Sequence, residues 1–541
     1  MLDLWYKNAV IYCLDAETFM DGNGDGVGDF RGLAHRLDHL EAMGVTCLWL
    51  NPFYPTPNKD NGYDISDYYG VDPRLGTLGD FVEFSRAARD RGMRLLVDLV
   101  VNHTSVDHPW FQAARDPESP MHDWYVWSDE KPADITEGII FPGVQEAVWS
   151  YDRKARRWYM HRFYAHQADL NIANPAVREE IARIMGFWLE LGISGFRIDA
   201  VPFLIEYEGL KEEPDRDPFL LLSEMRDFLD WRRAGAIMLA EANEPREKIP
   251  QYFGGRAFGT DERMNMVFDF PLNQRLWLGL VRGSAAPLRE ALDSRPRDAG
   301  AQAQWAVFLR NHDELSLDKL SGDERAECFA ALAPEESMRV YGRGVRRRLA
   351  PMLGGDPARL KLAHSLLFAL PGTPVMWYGD EIGMGEDLSL PERQPVRTPM
   401  QWSDEANGGF SAADPKRLFR QPVAEGPLGY RETNVAAQGR RPDTLMRTVQ
   451  QLARIRRACP EIGWGEWEAL DAPDAVLALR CRWRGGEVVT LHNLGPALED
   501  VAGLVPEGAR VLASEDPDGA EAASPLPPNG WRWLRIGGER R

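Results

Sequence analysis

An α/β fold is predicted here: a (β/α)₈ barrel, a subdomain inserted after its third strand, and an antiparallel β-domain at the C-terminal end. Three observations predict it. Eight short apolar runs alternate with amphipathic stretches, one interval between them is far too long for a plain loop, and the last part of the chain changes from helical to alternating periodicity.

The eight runs are Ala9–Leu14, Val45–Asn51, Arg94–Val100, Gly195–Ala200, Ala236–Glu241, Met264–Phe270, Trp305–Asn311 and Thr373–Tyr378. Between them Phe30–Met43, Phe81–Arg91, Val177–Leu191 and Pro218–Trp231 carry apolar residues at helical spacing. The long interval covers residues 104–175, and a structureless loop of that length does not belong in a compact domain. It reads as a lid over the barrel mouth. Its Trp124, Trp127, Trp149 and Trp158 are expected to pack it rather than line the cleft. A last helix, Thr444–Ala458, precedes Pro460. Val476–Trp483 and Glu487–His492 then flank Gly485-Gly486, which is a hairpin signal. The Pro/Gly/Asp-rich stretch Glu515–Gly530 reads as a loop of the same domain. The expected division is 1–103 with 176–460 for the barrel, 104–175 for the insertion and 461–541 for the β-domain.

Bulk properties narrow the function. At 541 residues and 44% hydrophobic, the chain has material for two or three packed domains. A surplus of 83 acidic over 63 basic residues gives a net charge of −20, which disfavours nucleic acid and anionic membranes as partners and leaves neutral substrates unaffected. Five cysteines without a CxxC pair, and a first segment without a basic-then-apolar leader, point to free thiols in the cytoplasm. No apolar run approaches a membrane span.

The charges inside the strands carry the chemistry. Gly195-Phe-Arg-Ile-Asp199 holds an Arg and an Asp in an apolar run, and burying each costs several kcal/mol without a partner or a function. Asp98 lies inside the third strand, Glu241 closes the fifth, and His312-Asp313 follow the seventh. Acid groups at the C-terminal ends of barrel strands indicate an active site on the rim. Glycosidic bonds break through an oxocarbenium-like state served by one protonated carboxyl and one carboxylate. Asp199, with Arg197 two residues away to keep it ionised, suits the nucleophile. Glu241, desolvated at a strand end, suits the acid.

Separately, Asp21, Asn23, Asp25, the Val27 carbonyl and Asp29 fall at positions 1, 3, 5, 7 and 9 of a loop with Gly26 at position 6. Those hard oxygens suit a structural Ca²⁺ or Mg²⁺, although position 12 is Gly32 rather than Glu. No zinc-type cluster or phosphate loop is present in the sequence, and no organic cofactor is expected.

Asp98-Leu-Val-Val-Asn-His103, Gly195-Phe-Arg-Ile-Asp199, Glu241 and Asn311-His-Asp313, in that order, resemble the four signature segments of glycoside hydrolase family 13, the α-amylase superfamily. The resemblance covers nearly the whole chain. It implies a retaining mechanism with Asp199 as nucleophile, Glu241 as acid/base and Asp313 as the carboxylate that grips sugar hydroxyls. It implies that His103 and His312 bind hydroxyls, that Arg197 orients the nucleophile, and that Asp98 and Phe270 support the site. Tyr63 is the implied platform under the reacting glucose. Asp60 with Arg397 is the implied pair closing the pocket behind it, which restricts substrates to short α-glucosides.

Trp5–Tyr12, Asn51–Pro55, Phe308–Leu315, Arg346–Pro351 and Tyr378–Met384 resemble the trehalose synthase group within that family. This implies maltose-to-trehalose isomerisation with some hydrolysis, and a possible second ion on Asn102, Asp169, Glu206 and the carbonyls of Phe203 and Leu204. Three segments depart from the group: Ala168 stands where it has Pro, Glu208–Pro214 differs on the acceptor side, and Leu14–Thr18 differs on the first strand. A looser acceptor side makes an α-glucosidase or transglucosidase the alternative. A non-catalytic interaction module is the remote one, since such relatives lose carboxylates that this chain keeps. The oligomeric state is left open.

Overall fold

The structure, a computed structural model, describes residues 3–205, 217–254, 262–297, 300–516 and 521–537. Eight parallel strands close into a barrel: β1 Ile11–Leu14, β2 Cys47–Leu50, β3 Arg94–Leu99, β4 Gly195–Ile198, β5 Ile237–Ala240, β6 Met266–Phe268, β7 Gln304–Phe308 and β8 Thr373–Trp377. Each pairs with its sequence neighbours, and β8 closes on β1 with Ile11 opposite Val375. Seven lie within the expected apolar runs, and β7 begins one residue earlier than expected, at Gln304. They read as unbroken apolar segments because nearly every position is buried, inward against the barrel core or outward against the helices.

β4 enters the barrel through Gly195, at φ +143°, where a Cβ would stand 2.1 Å from the Ile237 carbonyl oxygen. Only glycine fits there. The flanking helices begin on chemically matched caps. Thr77 and Asp80 form a capping box on Leu78–Asp90, and Asn174 with Pro175 opens Pro175–Glu190. One expected helix is two: Phe30–His35 and Leu37–Ala42 meet at Arg36, whose guanidinium lies over the Trp402 ring at 4.2 Å.

Between β3 and Pro175–Glu190 lie short sheets, not a bare loop. His103–Ser105 pairs with Gln167–Asp169, and Arg157–Met160 is flanked by Trp127–Ser128 and Trp149–Asp152. The C-terminal region forms a five-stranded antiparallel sheet in the order Glu466–Ala469, Val476–Trp483, Gly486–Asn493, Trp531–Ile536, Arg510–Ser514. Its central hairpin turns on Arg484 and Gly485, both at positive φ, and Gly486 is already paired with Trp483. The sheet is pinned to the barrel by a buried relay. Trp533 Nε1 donates to Ser365 Oγ at 2.9 Å, and Ser365 bonds His492 Nε2 at 2.9 Å. All five cysteines are buried and free. Among the described residues no helix is long and apolar enough to cross a membrane.

Candidate active site

The site is organised around one guanidinium. Arg197, buried at the end of β4, donates to Asp98 within β3, to Asp199 at 2.7 Å and to Glu241, just past β5, at 2.5 Å. Three carboxylates share one cation, so one of them is disfavoured as an anion. Glu241 is that group: burial, with Asp199 and Asp313 nearby, outweighs Arg197 and pushes it up to about 8. Burial also lifts Asp199 to about 6, against the pull of Arg197, which still leaves it ionised at neutral pH. Asp98 rises to about 6 for the same reason, although Trp49 Nε1 donates to it at 2.9 Å. Thus Arg197 lowers the nucleophile candidate less than the sequence suggests, because desolvation is the larger effect. Ala200, directly after Asp199, sits at φ +50°, and its N–H points to Glu241 Oε2 at 3.3 Å. That left-handed turn is uncommon for alanine, and such backbone cost gathers at functional sites.

A second cation frames the opposite wall. Arg393 donates to Asp313 at 2.6 Å and to Asp60 at 3.0 Å. Burial alone would raise Asp313, but His312, Arg393 and Arg397 hold it well below the usual carboxylate range. The expected Asp60–Arg397 pair is therefore corrected. Arg397 is drawn under the floor, where it donates to the His312 carbonyl at 2.8 Å and to Asp313 at 3.1 Å, and Arg393 takes Asp60. Tyr63 stacks on His312 with centroids 5.5 Å apart and planes 9° apart, and its hydroxyl bonds His312 Nε2 at 2.8 Å. Burial lowers His103 and His312 to about 4, so both are neutral hydrogen-bonding groups at neutral pH. Asp60, Tyr63, His103, Asp199, Glu241, Phe270, His312 and Asp313 line one cavity of about 480 Å³, and Asp98, Arg197 and Arg397 support it from below.

The sequence profile described as "Alpha amylase, catalytic domain" matches residues 13–338 and 345–465. The chain belongs to the α-amylase catalytic-domain family. It is 42% identical over 495 residues to a trehalose synthase/amylase of Mycobacterium tuberculosis, a match covering 91% of this chain and 82% of that protein. It is 43% identical to a trehalose synthase of Thermus thermophilus, covering 93% of this chain and 52% of that longer protein. The solved trehalulose synthase of Pseudomonas mesoacidophila superposes with a TM-score of 0.77 at 27% identity, covering 98% of this chain and 99% of that one. As a member of the α-amylase family, this protein is a glycoside-acting enzyme with the family's (β/α)₈ barrel.

The other half of the cavity is lined by Phe141, Phe163, Phe203, Asn243, Glu244 and Asp318, joined by Arg343. Of these only Phe203 is expected from the sequence, through its carbonyl, and its ring packs edge-on against Phe163 at 5.5 Å. The four tryptophans singled out in the insertion pack it, as expected, Trp124 edge-on against a fifth, Trp110, at 5.0 Å. Trp149 and Trp158 join Val126, Val148 and Met160, and Trp127 stacks on Phe111 and His122. The insertion's aromatic contribution to the cleft is Phe141 and Phe163 instead. Of the three departures, Ala168 pairs with Thr104, and the side chain of its neighbour Gln167 donates to Asp60 at 3.0 Å. Asp15 caps the short helix Ala16–Phe19, and Glu17 bonds Arg74. Glu208–Pro214 lies outside the described residues.

In the loop 21–29 the carboxylates face inward. Asp21 accepts N–H groups of Asn23, Gly24 and Gly26, Asp29 accepts those of Gly22, Asn23 and Gly32, and Asn23 and Asp25 each accept from two residues on. As the side chains stand, no group of three or more His, Cys, Asp or Glu among the described residues is gathered to hold an ion, and an ion in loop 21–29 would have to draw its carboxylates off these N–H groups. At the second proposed site Asn102 donates to Asp169 at 3.3 Å, Leu204 is buried nearby in sequence to Phe203, and Glu206 lies outside the described residues.

Proposed function

We propose that this protein interconverts maltose and trehalose through a covalent glucosyl-enzyme, with hydrolysis as a side reaction. The observation that carries the reading is Arg197 shared among Asp98, Asp199 and Glu241, which keeps two carboxyls close together while burial holds their proton affinities apart, at about 6 and about 8. Retaining enzymes need that closeness, roughly 5–5.5 Å between carboxyl groups, and that division of labour. Asp199 attacks the anomeric carbon of the non-reducing glucose from the β face. Glu241 gives its proton to the departing glycosidic oxygen, and a β-glucosyl ester and free glucose result. The released glucose turns within the pocket. Glu241, now a carboxylate, takes the proton of its anomeric hydroxyl, which attacks the ester and forms the α,α-1,1 linkage. Asp313 stays ionised to grip ring hydroxyls and offset the developing positive charge, His103 and His312 hydrogen-bond as neutral imidazoles, and Tyr63 supports the ring.

Support for this acceptor comes from the two trehalose synthases at 42% and 43% identity. The alternative is net hydrolysis or transfer from short α-glucosides. What favours it is the set of phenylalanines lining the outer part of the cavity, whose rings offer no hydrogen bond that would select glucose over water or another alcohol. In the same reading the hard oxygens of Asp21, Asn23, Asp25, Val27 and Asp29 hold a structural Ca²⁺ or Mg²⁺, and the buried free thiols fit the cytoplasm. A chelator should then lower the melting temperature, and added Ca²⁺ should restore it. The nucleophile is tested by trapping with 5-fluoroglucosyl fluoride and peptide mass spectrometry. A glucosyl adduct on Asp199 is expected, and an adduct on another carboxylate would overturn the assignment.

A further inference from the structure

Outside the cavity, a single carboxylate ties together three separate segments. Glu392 Oε2 accepts a hydrogen bond from the Tyr341 hydroxyl at 2.7 Å and another from the Tyr164 hydroxyl. Tyr164 belongs to the insertion. Tyr341 belongs to the turn between the short strands Arg339–Val340 and Gly344–Val345, and Glu392 to the loop that leads into Gln394–Val396. Phe141, also from the insertion, packs on both phenol rings with centroids 4.8 Å away, and the Arg393 guanidinium lies over the Phe141 ring at 4.9 Å. A further tie joins the same segments, since Arg343 donates to the Ile140 carbonyl at 2.8 Å.

The backbone is held at a cost in two of the three segments. Glu392 stands at φ +43° and Tyr341 at φ +56°, and neither is glycine, asparagine or aspartate. Left-handed backbone at such residues persists only where surroundings fix it, and it gathers at functional sites. The immediate neighbour of Glu392 is Arg393, which crosses the pocket wall from Asp60 to Asp313. None of Tyr164, Tyr341 and Glu392 lines the cavity.

We infer that Glu392 is a positioning residue and the anchor of a latch. By accepting from Tyr164 and Tyr341 it clamps the insertion against the two loops, fixes Arg393 across Asp60 and Asp313, and keeps the released glucose and not water beside the glucosyl-enzyme. A phenol donating to a carboxylate is a charge-assisted bond, stronger than a neutral one, and two on one oxygen make a directional joint. The partition of product rests on the isomerase reading above. The clamping of Arg393 does not.

The test uses the whole chain with Tyr164→Phe/Tyr341→Phe, Glu392→Ala and Glu392→Gln. The double Tyr→Phe variant removes two hydroxyls and leaves the ring packing in place, so folding is preserved. On p-nitrophenyl α-glucoside the double variant and Glu392→Ala should raise KM by ~5-fold or more with kcat within ~2-fold. On maltose they should raise the share of free glucose among products by ~3-fold, with Glu392→Gln, which keeps an acceptor oxygen, nearer to the parent. A lowered melting temperature with KM and product partition unchanged would make the joint merely structural and overturn the inference. If the parent itself forms no trehalose, the isomerase reading fails, and the KM change on the nitrophenyl glucoside still decides the latch.

Discussion

The two halves of the cavity are built differently. The inner half, around Asp60, Tyr63, His103, Asp199, His312 and Asp313, is set by strand ends and cross-linked by Arg197, Arg393 and Arg397. The outer half, around Phe141, Phe163, Phe203 and Glu244, comes from the insertion and from segments beyond β4, β5 and β7, and its polar members are tied to one another and to loop neighbours, Asn243 to Asp318 at 3.1 Å and Arg343 to the Ile140 carbonyl at 2.8 Å. The rigid half can recognise one glucose in one orientation. The other half must accept a glucose that leaves by one hydroxyl and returns by another, which calls for phenylalanine faces that single out no one hydroxyl. Precision on strands and tolerance on loops is the expected division for a barrel enzyme.

Changes to the two halves should therefore separate. Asp199→Asn should lower kcat by at least ~10⁴-fold on every α-glucoside, measured with the folded variant. Arg393→Ala leaves Asp313 to Arg397 and His312 alone and Asp60 without a cation, and should cost ~10²-fold or more in kcat/KM, because removing one partner from a buried charge cluster is expensive. Phe141→Ala, in the outer half, should change total turnover by only a few-fold while shifting products toward free glucose, as read by proton NMR. Equal losses from Arg393→Ala and Phe141→Ala in donor turnover would erase the distinction between the halves.

Proton affinities supply a finer contrast within the inner half. Asp199 must be ionised and Glu241 protonated, so kcat/KM should rise through about pH 6 and fall through about pH 8. Glu241→Gln should remove the upper limb along with most activity. It should also stabilise. The folded protein holds the Glu241 proton to about 8 against an ordinary 4.5, so folding takes up a proton across that window and stability falls as pH rises through it. The variant should melt ~1–3 °C above the parent near pH 8, with little difference near pH 5.

How much of this was legible in the sequence follows from the same contrast. The eight barrel strands were readable because burial on both sides leaves apolar runs, and a charge within such a run stands out. That signal marks the site carboxylates within β3, just past β4 and β5, and after β7. Arg393 was not, because its reach to Asp60 and Asp313 depends on the loop path around Glu392, and Arg397, four residues on, sits in the more distinctive Arg-Thr-Pro-Met-Gln-Trp segment. Phe141 and Phe163 were overlooked for the insertion's tryptophans, since composition does not tell which aromatic faces a cavity. The hairpin was found one residue off, because either of two consecutive glycines could supply the turn, and Arg484 takes the left-handed position beside Gly485. The single long helix expected at Phe30–Met43 was split by Arg36, whose partner Trp402 is remote in sequence.

The most direct test of the central claim is incubation of the protein with maltose, with products followed over time by proton NMR. The anomeric signal of trehalose should grow faster than that of free glucose. Glucose appearing alone, with no trehalose at any time, would contradict it and make the protein an α-glucosidase.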